Sequence, residues 1–186
     1  MQISQQKTKG LVLVSTLAAL AYVLMFISFP IIPAFSFLKL DFSDVPILIG
    51  LFVVGPLGAS EIVILKLFLF WMTHGFSVLE LIGLIPSLIV SLIFIGVFYL
   101  YKESITKPGF KKFVPAIVIG VVMAIVLSIL NYFIFLPMYM KVFGFDMGLP
   151  LFKIVLYGVA PFNLIKGIVE SLVFIIIYRR LSKLIK

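Results

Sequence analysis

The chain has 186 residues, of which 63% are apolar, and it carries a formal net charge of +8 and no cysteine. Its mean hydropathy of +1.32 means more apolar surface than a soluble domain of this size could bury, so we expect the lipid bilayer to surround most of it. The lack of cysteine excludes disulfides, thiolate metal sites and thiol catalysis.

The first predicted helix runs from about residue 10 to residue 29, long enough to cross a hydrocarbon core of roughly 30 Å. Pro30 and Pro33 end this helix and begin a loop over residues 30–44. Within the loop, apolar and polar residues alternate from Phe37 onward, which favours extended backbone.

A short second helix is predicted over residues 45–54. Ser43 and Asp44 precede Pro46, and a capping residue followed by a proline in the first turn is typical of a helix start. Gly55 and Pro56 stop the helix, which would therefore cover only about 15 Å, roughly half of the bilayer core. We expect it to be short, tilted or buried, or to be one half of a broken helix.

Four longer helices are predicted after this one. They are connected by a turn that begins at His74, a lysine-rich loop over residues 102–112 and a loop over residues 137–150. No repeat or soluble domain interrupts them. The sequence therefore predicts an all-α polytopic membrane protein, a single six-helix domain over residues 1–186, whose last four helices cover about 57–73, 80–101, 113–136 and 151–180.

The basic residues favour six membrane crossings over five. With the 45–54 helix counted as a crossing, both chain ends and the 102–112 loop lie on one side and hold ten of the fifteen basic residues. With five crossings these clusters would lie on opposite sides, against the positive-inside rule. We therefore expect both termini in the cytoplasm and the 30–44, 74–79 and 137–150 loops outside. Topology and headgroup contact then explain the net charge, and nucleic-acid binding is not expected.

The sequence lacks the residue clusters of a membrane enzyme. His74 is the single histidine, the seven carboxylates are spread along the chain, and the arginines lie near the C-terminus. Metalloproteases and lipid phosphatases need clustered histidine, carboxylate or arginine side chains. There is also no phosphate-binding Gly-Lys-Ser/Thr loop. We expect no enzyme activity, no metal site and no ATP hydrolysis by this chain.

Several polar residues lie within predicted helices, where an unpartnered polar group is costly. Asn131 lies on the fifth helix, and Asn163 and Lys166 share one face of the sixth, with Glu170 one turn further on. Each asparagine alone fits a structural interhelical hydrogen bond equally well. Together, beneath the 30–44 loop, they predict an outward-facing apolar cavity. Such a cavity suits a neutral planar ligand with a hydrogen-bonding edge, since an amide both donates and accepts.

Two other sets of residues have structural alternatives. Ser15 and Ala19 form a small-xxx-small pair on the first helix, which either packs inside the bundle or lets a partner helix approach closely. Lys66 and Glu61 are five positions apart and do not share a helix face, so we expect each to pair across helices as a structural residue.

Two blocks carry a resemblance to a known family. The first is Asp41-Phe42-Ser43-Asp44-Val45-Pro46 followed by Ile-Leu-Ile-Gly and Gly-Pro-Leu-Gly, and the second is Pro161-Phe162-Asn163-Leu164-Ile165-Lys166-Gly167. Together they resemble the riboflavin-binding S components, of the RibU type, of energy-coupling factor (ECF) vitamin transporters. The resemblance extends over essentially the whole chain.

The resemblance implies a multi-pass protein of the cell membrane that captures extracellular riboflavin as a transported ligand rather than as a cofactor. Its implied partners are a coupling membrane subunit and two ATPase subunits. Residue chemistry permits riboflavin, and the resemblance selects it. The alternatives are an S component for another vitamin and a structural or assembly subunit without a small ligand. A lipid-modifying enzyme is disfavoured.

The resemblance also implies two sets of functional residues. The family docks on its coupling subunit through an alanine pair on the first helix. Here the first small residue is Ser15, and Ala18 is followed four positions later by Tyr22, which departs from that pattern. The implied partner-binding residues are Ser15, Ala18, Ala19 and Tyr22. The implied ligand-binding residues are Leu38, Lys39, Leu40, Asp41, Glu80, Asn131, Asn163 and Lys166.

Overall fold

The structure, a computed structural model, describes residues 2–107 and 109–184. It is almost entirely helical, as expected for apolar segments that must satisfy their backbone groups internally in lipid. The helices are α1 (Gln2–Phe26), α2 (Asp44–Val53), α3 (Pro56–Thr73), α4 (Val78–Leu100), α5 (Lys102–Thr106), α6 (Val114–Leu130), α7 (Leu136–Phe143), α8 (Leu151–Ile154) and α9 (Ala160–Leu184).

Two π-helical turns join pairs of these helices into long rods. Asn131–Phe135 connects α6 to α7, and Val155–Val159 connects α8 to α9. Short 3-10 turns cover Pro33–Phe35 and Phe110–Phe113. The only strands in the described residues are β1 (Phe29–Pro30) and β2 (Lys39–Leu40), an antiparallel pair that closes the base of the loop between α1 and α2.

Five helical segments of the described chain are long and apolar enough to cross a membrane. The remaining apolar helix, α2, has only ten residues. The predicted count of six crossings therefore depends on whether α2 is counted. The five long segments are Thr8–Phe26, Pro56–Thr73, Val78–Leu100, Phe110–Phe143 and Leu151–Leu181.

The short helix α2 lies at the centre of the bundle. Its residues Ile47 and Leu48 are fully buried, and the helix packs against α1, α3, α4 and α9. Gly55, with φ of +93°, provides the sharp reversal from α2 to α3. Gly50 lies so close to the Ile62 side chain on α3 that an added Cβ would overlap it. Of the alternatives left open above, the buried helix is the one that forms.

The rods α6–α7 and α8–α9 cross closely at two glycines. A Cβ added to Gly167 would lie 2.9 Å from the Cα of Gly120, and a Cβ added to Gly120 would lie 2.9 Å from the carbonyl oxygen of Leu164. Without side chains at the crossing, the two backbones approach to direct contact, as small residues allow in membrane helices. This crossing sets how the polar face of α9 stands relative to α6.

Some predicted helix boundaries were wrong. The fifth helix does not end at residue 136 but continues to Phe143. Pro137 cannot donate a backbone hydrogen bond, and the π turn over Asn131–Phe135 directly before it accommodates this missing donor. The first helix ends at Phe26 rather than residue 29, because Phe29 and Pro30 pair with Leu40 and Lys39.

Two predicted side-chain roles also differ from the structure. Ser43 occupies the N-cap position of α2, but its side chain makes no cap hydrogen bond. Its Oγ instead accepts a hydrogen bond from Lys66, 3.1 Å away. Glu61, expected to pair across helices, is exposed and forms no ion pair with the residues that the structure describes.

Candidate ligand-binding site

A cavity of about 640 Å³ lies at one end of the bundle, beneath the loop between α1 and α2. This volume is in the range of small-molecule sites. The ends of α1, α3 and α7 and the start of α4 meet around it. Its apolar walls are Met25, Phe37, Leu38, Phe70, Leu79, Gly83, Leu84, Pro86, Val90, Leu127, Phe135, Leu136, Phe143, Phe145 and Phe162, and its polar lining residues are Lys39, Asp41, Glu80, Ser87, Asn131, Tyr139, Asn163 and Lys166.

An ion pair joins the loop above the cavity to the helix beneath it. The Nζ of Lys166 on α9 donates to the Oδ2 of Asp41 at 3.1 Å. On its other side, Lys166 Nζ lies 3.4 Å from the Oε1 of Glu170, an approach that is not aligned as a hydrogen bond. The ammonium therefore lies between two carboxylates, one at the cavity surface and one fully buried.

Asp41 is held as a carboxylate. Burial by itself would raise the pKa of Asp41, but the ammonium groups of Lys166 and Lys66 and the hydrogen bonds from Ser43 outweigh burial and lower the pKa to about 2. One of these bonds runs from the backbone N–H of Ser43 to Asp41 Oδ1 at 2.8 Å. The contacts of this carboxylate with Lys166 and Ser43 thus hold the loop in place at Asp41.

Asn131 and Asn163 are oriented in the same way. The Nδ2 of Asn131 donates to the carbonyl of Leu127, and the Nδ2 of Asn163 donates to the carbonyl of Val159, each at 2.8 Å. Because the atom facing a carbonyl must be the donor, each amide oxygen points elsewhere. Neither oxygen has a hydrogen-bond partner among the described residues. Each side chain can therefore offer the cavity an acceptor and one remaining N–H.

The two π turns lie at the level of these amides. Asn131 is the first residue of one turn, and Val159, which accepts from Asn163, is the last residue of the other. The turns contact one another across the bundle. A π turn shifts the residues that follow it around the helix axis, so the position of Asn163 depends on the turn before it, whereas Asn131 opens the other turn.

Comparison with known proteins identifies the family. Residues 9–178 match the family described as ECF transporter, substrate-specific component. The chain belongs to this family. Its members, called S components below, are parts of transporters rather than enzymes, and this S component is a multi-pass membrane protein.

Individual relatives match over nearly the whole length. This S component is 39% identical over 188 residues to the riboflavin transporter RibU of Staphylococcus aureus (strain TCH60), covering 100% of this chain and 96% of that protein. It is 35% identical over 181 residues to the riboflavin transporter FmnP of Bacillus subtilis (strain 168), covering 95% and 93%. A solved structure of the S component of a bacterial ECF transporter is 38% identical and superposes with a TM-score of 0.77, covering 97% of this chain and 99% of that one.

Seven of the eight residues implied as ligand-binding line the cavity of this S component. Leu40 is the exception, because it is buried beneath the loop where β2 pairs with β1. The other seven, from the loop, α4 and the two rods, are Leu38, Lys39, Asp41, Glu80, Asn131, Asn163 and Lys166.

The implied partner-binding residues do not share one environment. Ser15 and Ala19 are exposed on the outer face of α1, and Tyr22 is half-buried. Ala18 is only 1% exposed and belongs to the core of the bundle. Ala18 is therefore not available to a partner helix, because it already packs within this chain.

Most of the aromatic wall lies outside the residues that the sequence predicts for the site. Tyr139, Phe143 and Phe145 line the cavity, although they fall within the predicted 137–150 loop. The apolar run that continues past Pro137 was a usable signal, since a proline is tolerated near a helix start. The α4 residues Gly83 and Ser87 were also missed, and no sequence pattern singled them out.

A second polar cluster lies beside the cavity without lining it. Lys66 on α3 is 0% exposed, and its Nζ lies 3.3 Å from Asp44 Oδ1. The same ammonium donates to Ser43 Oγ at 3.1 Å and to Ser91 Oγ on α4 at 3.4 Å, and Ser91 Oγ donates to Asp44 Oδ1. The expectation that Lys66 pairs across helices is confirmed.

Proposed function

We propose that this chain captures riboflavin outside the cell as the substrate-binding subunit of an ECF transporter. The observation that carries the proposal is the convergence of Asn131, Asn163 and Lys166 on one apolar, aromatic-walled cavity. Full-length similarity to proteins named as riboflavin transporters supports the same ligand.

The chemistry of the cavity suits a flavin. Phenylalanine and tyrosine walls match the large faces of an isoalloxazine ring, and stacking on such faces is favourable. The dione edge of the ring presents carbonyl acceptors and an N–H donor. The ammonium of Lys166 and the amide N–H groups would donate to the carbonyls, and an amide oxygen would accept from the N–H. Lys39, Asp41 and the loop backbone would take the hydroxyl groups of the ribityl chain.

Binding of riboflavin to the purified protein tests this function directly. Titration with the quenching of flavin fluorescence as the signal should give saturable binding, and Asn163→Ala should raise the Kd at least about tenfold. Ser171→Ala is the matched control. Ser171 is equally buried on α9 but donates only to the carbonyl of Gly167 on its own helix, so its Kd should match the native value. A folded native protein that does not bind riboflavin would refute the function, and undiminished affinity would remove Asn163 from the site.

Energy for uptake would come from other subunits. We propose that the chain associates with a coupling membrane subunit and two ATPase subunits, as its membership of the ECF family implies. Ser15 and Ala19 are exposed small residues on α1, and such a stripe allows another helix to approach closely.

We further propose six crossings with both termini in the cytoplasm. The distribution of lysine and arginine supports this topology. The chain has no cysteine, so a thiol reagent can label only the single cysteine that is introduced. Lys39→Cys and Asp146→Cys should react with an impermeant reagent added outside cells, and Lys107→Cys should react only after permeabilisation. The reverse pattern would exclude an outward-facing cavity.

A further inference from the structure

The loop residues that follow the cavity roof are held by lysines from two different helices. Asp41 pairs with Lys166 of α9 at 3.1 Å, and Asp44, three residues later, pairs with Lys66 of α3 at 3.3 Å. We call residues 41–44 the anchor segment. Its two ends are thus tied to different sides of the bundle.

The two ion pairs differ in their access to the cavity. The side chains of Lys166 and Asp41 are 11% and 16% exposed and line the cavity. Those of Lys66 and Asp44 are 0% and 2% exposed and do not line it. A ligand can therefore touch the first pair, whereas the second pair is out of its reach.

The buried pair of Lys66 and Asp44 belongs to a hydrogen-bonded cluster that connects α2, α3 and α4. Lys66 of α3 donates to Ser43 as well as pairing with Asp44 at the start of α2. Ser91 of α4 accepts from Lys66 and donates to Asp44. Since Ser43 also donates its backbone N–H to Asp41 at 2.8 Å, the cluster is connected by hydrogen bonds to the carboxylate at the cavity surface.

We propose that Lys66 and Asp44, with Ser91, are positioning residues for ligand binding. Their ion pair holds the anchor segment in one geometry, so that Asp41 is already in place over the cavity before the ligand arrives. The inference rests on the proposed function. Ordering a binding loop in advance removes that entropic cost from the binding step.

A stable fold does not by itself require a buried ion pair. Two charges that leave water pay desolvation costs that their attraction often fails to recover, and an uncharged pair of similar volume is frequently just as stable. A buried pair can instead select one geometry for the segment that carries it. Here that segment is the one that carries Asp41.

A double variant separates positioning from stability. Asp44→Asn combined with Lys66→Met removes both charges and nearly preserves volume, so its unfolding midpoint without ligand should stay close to the native value. Riboflavin should dissociate from it at least about tenfold faster, and the Kd should rise accordingly. Ser171→Ala, which alters a buried hydroxyl away from the loop, should leave both the rate and the Kd unchanged.

The energetic coupling between Asp41 and the buried pair distinguishes positioning from a purely structural role, which would leave the coupling at zero. Asp41→Asn should weaken riboflavin binding several-fold in the native background and by a clearly smaller factor in the double variant, where Asp41 is no longer held in place. Equal factors in the two backgrounds would overturn the inference. So would a folded double variant that binds and releases riboflavin like the native protein.

Ser91→Ala extends the test if the double variant fails to fold. It removes one hydroxyl from the cluster, leaves both charges paired, and should speed riboflavin release several-fold, whereas an unchanged rate would overturn the inference. The two proposals fail separately. A native protein that does not bind riboflavin refutes the function and the positioning role together, but native binding with unaltered variants refutes only the positioning role.

Discussion

Lys166 and Asp41 are 125 positions apart in the sequence, yet the ammonium of one donates to the carboxylate of the other at 3.1 Å. This contact joins α9, the floor of the cavity, to the loop that covers it. Lys166 also lies 3.4 Å from Glu170, which is fully buried. Loss of this one ammonium would leave two carboxylates without their nearest positive charge.

Lys166→Met should therefore weaken both the fold and the site. Removing one partner of a largely buried ion pair leaves the other charge uncompensated, and we expect a loss of at least about 2 kcal/mol in the free energy of unfolding. The Kd for riboflavin should rise at least about tenfold, because a donor is lost from the cavity. Denaturation in detergent and flavin fluorescence titration measure the two effects.

Lys153→Met is the control for this change. Lys153 lies on the same rod as Lys166 but is exposed and outside the cavity. Its removal should leave both measurements within error of the native values. A Lys166→Met protein that bound riboflavin as tightly as the native one would show that this ammonium takes no part in binding.

The pH dependence of Asp41 follows from its lowered pKa. The pKa falls from 3.8 to about 2 in the folded protein. The stability that Asp41 contributes is therefore fully present above about pH 5 and is lost as the pH falls toward 2. The difference in unfolding midpoint between the native protein and Asp41→Asn should stay constant from pH 8 to about pH 5 and shrink at lower pH. A difference that already shrinks between pH 7 and pH 5 would contradict an ionised, lysine-paired Asp41.

Because the two rods cross at Gly120 and Gly167, replacing Gly167 by alanine should destabilise the protein, whereas the same change at a glycine with free space should not. A Cβ on Gly167 would lie 2.9 Å from the Cα and 3.0 Å from the N of Gly120. Backbone atoms cannot rotate away, so the helices must separate, and Gly167→Ala should cost about 1–3 kcal/mol. Riboflavin binding should weaken too, because Asn163 and Lys166 lie on the displaced helix.

Gly96→Ala is the matched control for the crossing. Gly96 lies inside α4, and an added Cβ meets nothing within 4 Å. This change should leave the unfolding midpoint unchanged or slightly raised, since alanine favours a helix by up to about 1 kcal/mol. Equal destabilisation by the two substitutions would show that the close backbone approach is not what limits Gly167.

Larger side chains on the exposed and the buried face of α1 should have different effects. Ser15→Leu combined with Ala19→Leu enlarges an exposed stripe, so riboflavin binding should be retained while association with the coupling subunit and cellular uptake are lost. Ala18→Leu instead inserts volume into the core and should cost about 1–3 kcal/mol of stability. Co-purification with the coupling subunit and ligand titration measure the outcomes. Loss of riboflavin binding in the Ser15/Ala19 variant would assign the stripe to packing within this chain.

The order and the approximate limits of the membrane helices were available from the sequence. Hydropathy is a sum over neighbouring residues, and a segment such as α4 is apolar enough to require a lipid or protein environment by itself. The short helix α2 was also predictable, because Asp44 and Pro46 at its start and Gly55 and Pro56 at its end act locally. The polar residues Asn131, Asn163 and Lys166 stood out for the same reason, as costly groups inside apolar helices.

Only the tertiary structure decided which of these groups meet. Asp41 pairs with Lys166, and Asp44 with Lys66, because of how α2, α3 and α9 are oriented relative to one another, which no local pattern specifies. The π turn before Pro137 carries α7 on to Phe143 and brings Tyr139 to the cavity wall. Helix formation depends on hydrogen bonds a few residues apart, whereas a cavity depends on how side chains distant in sequence pack around it.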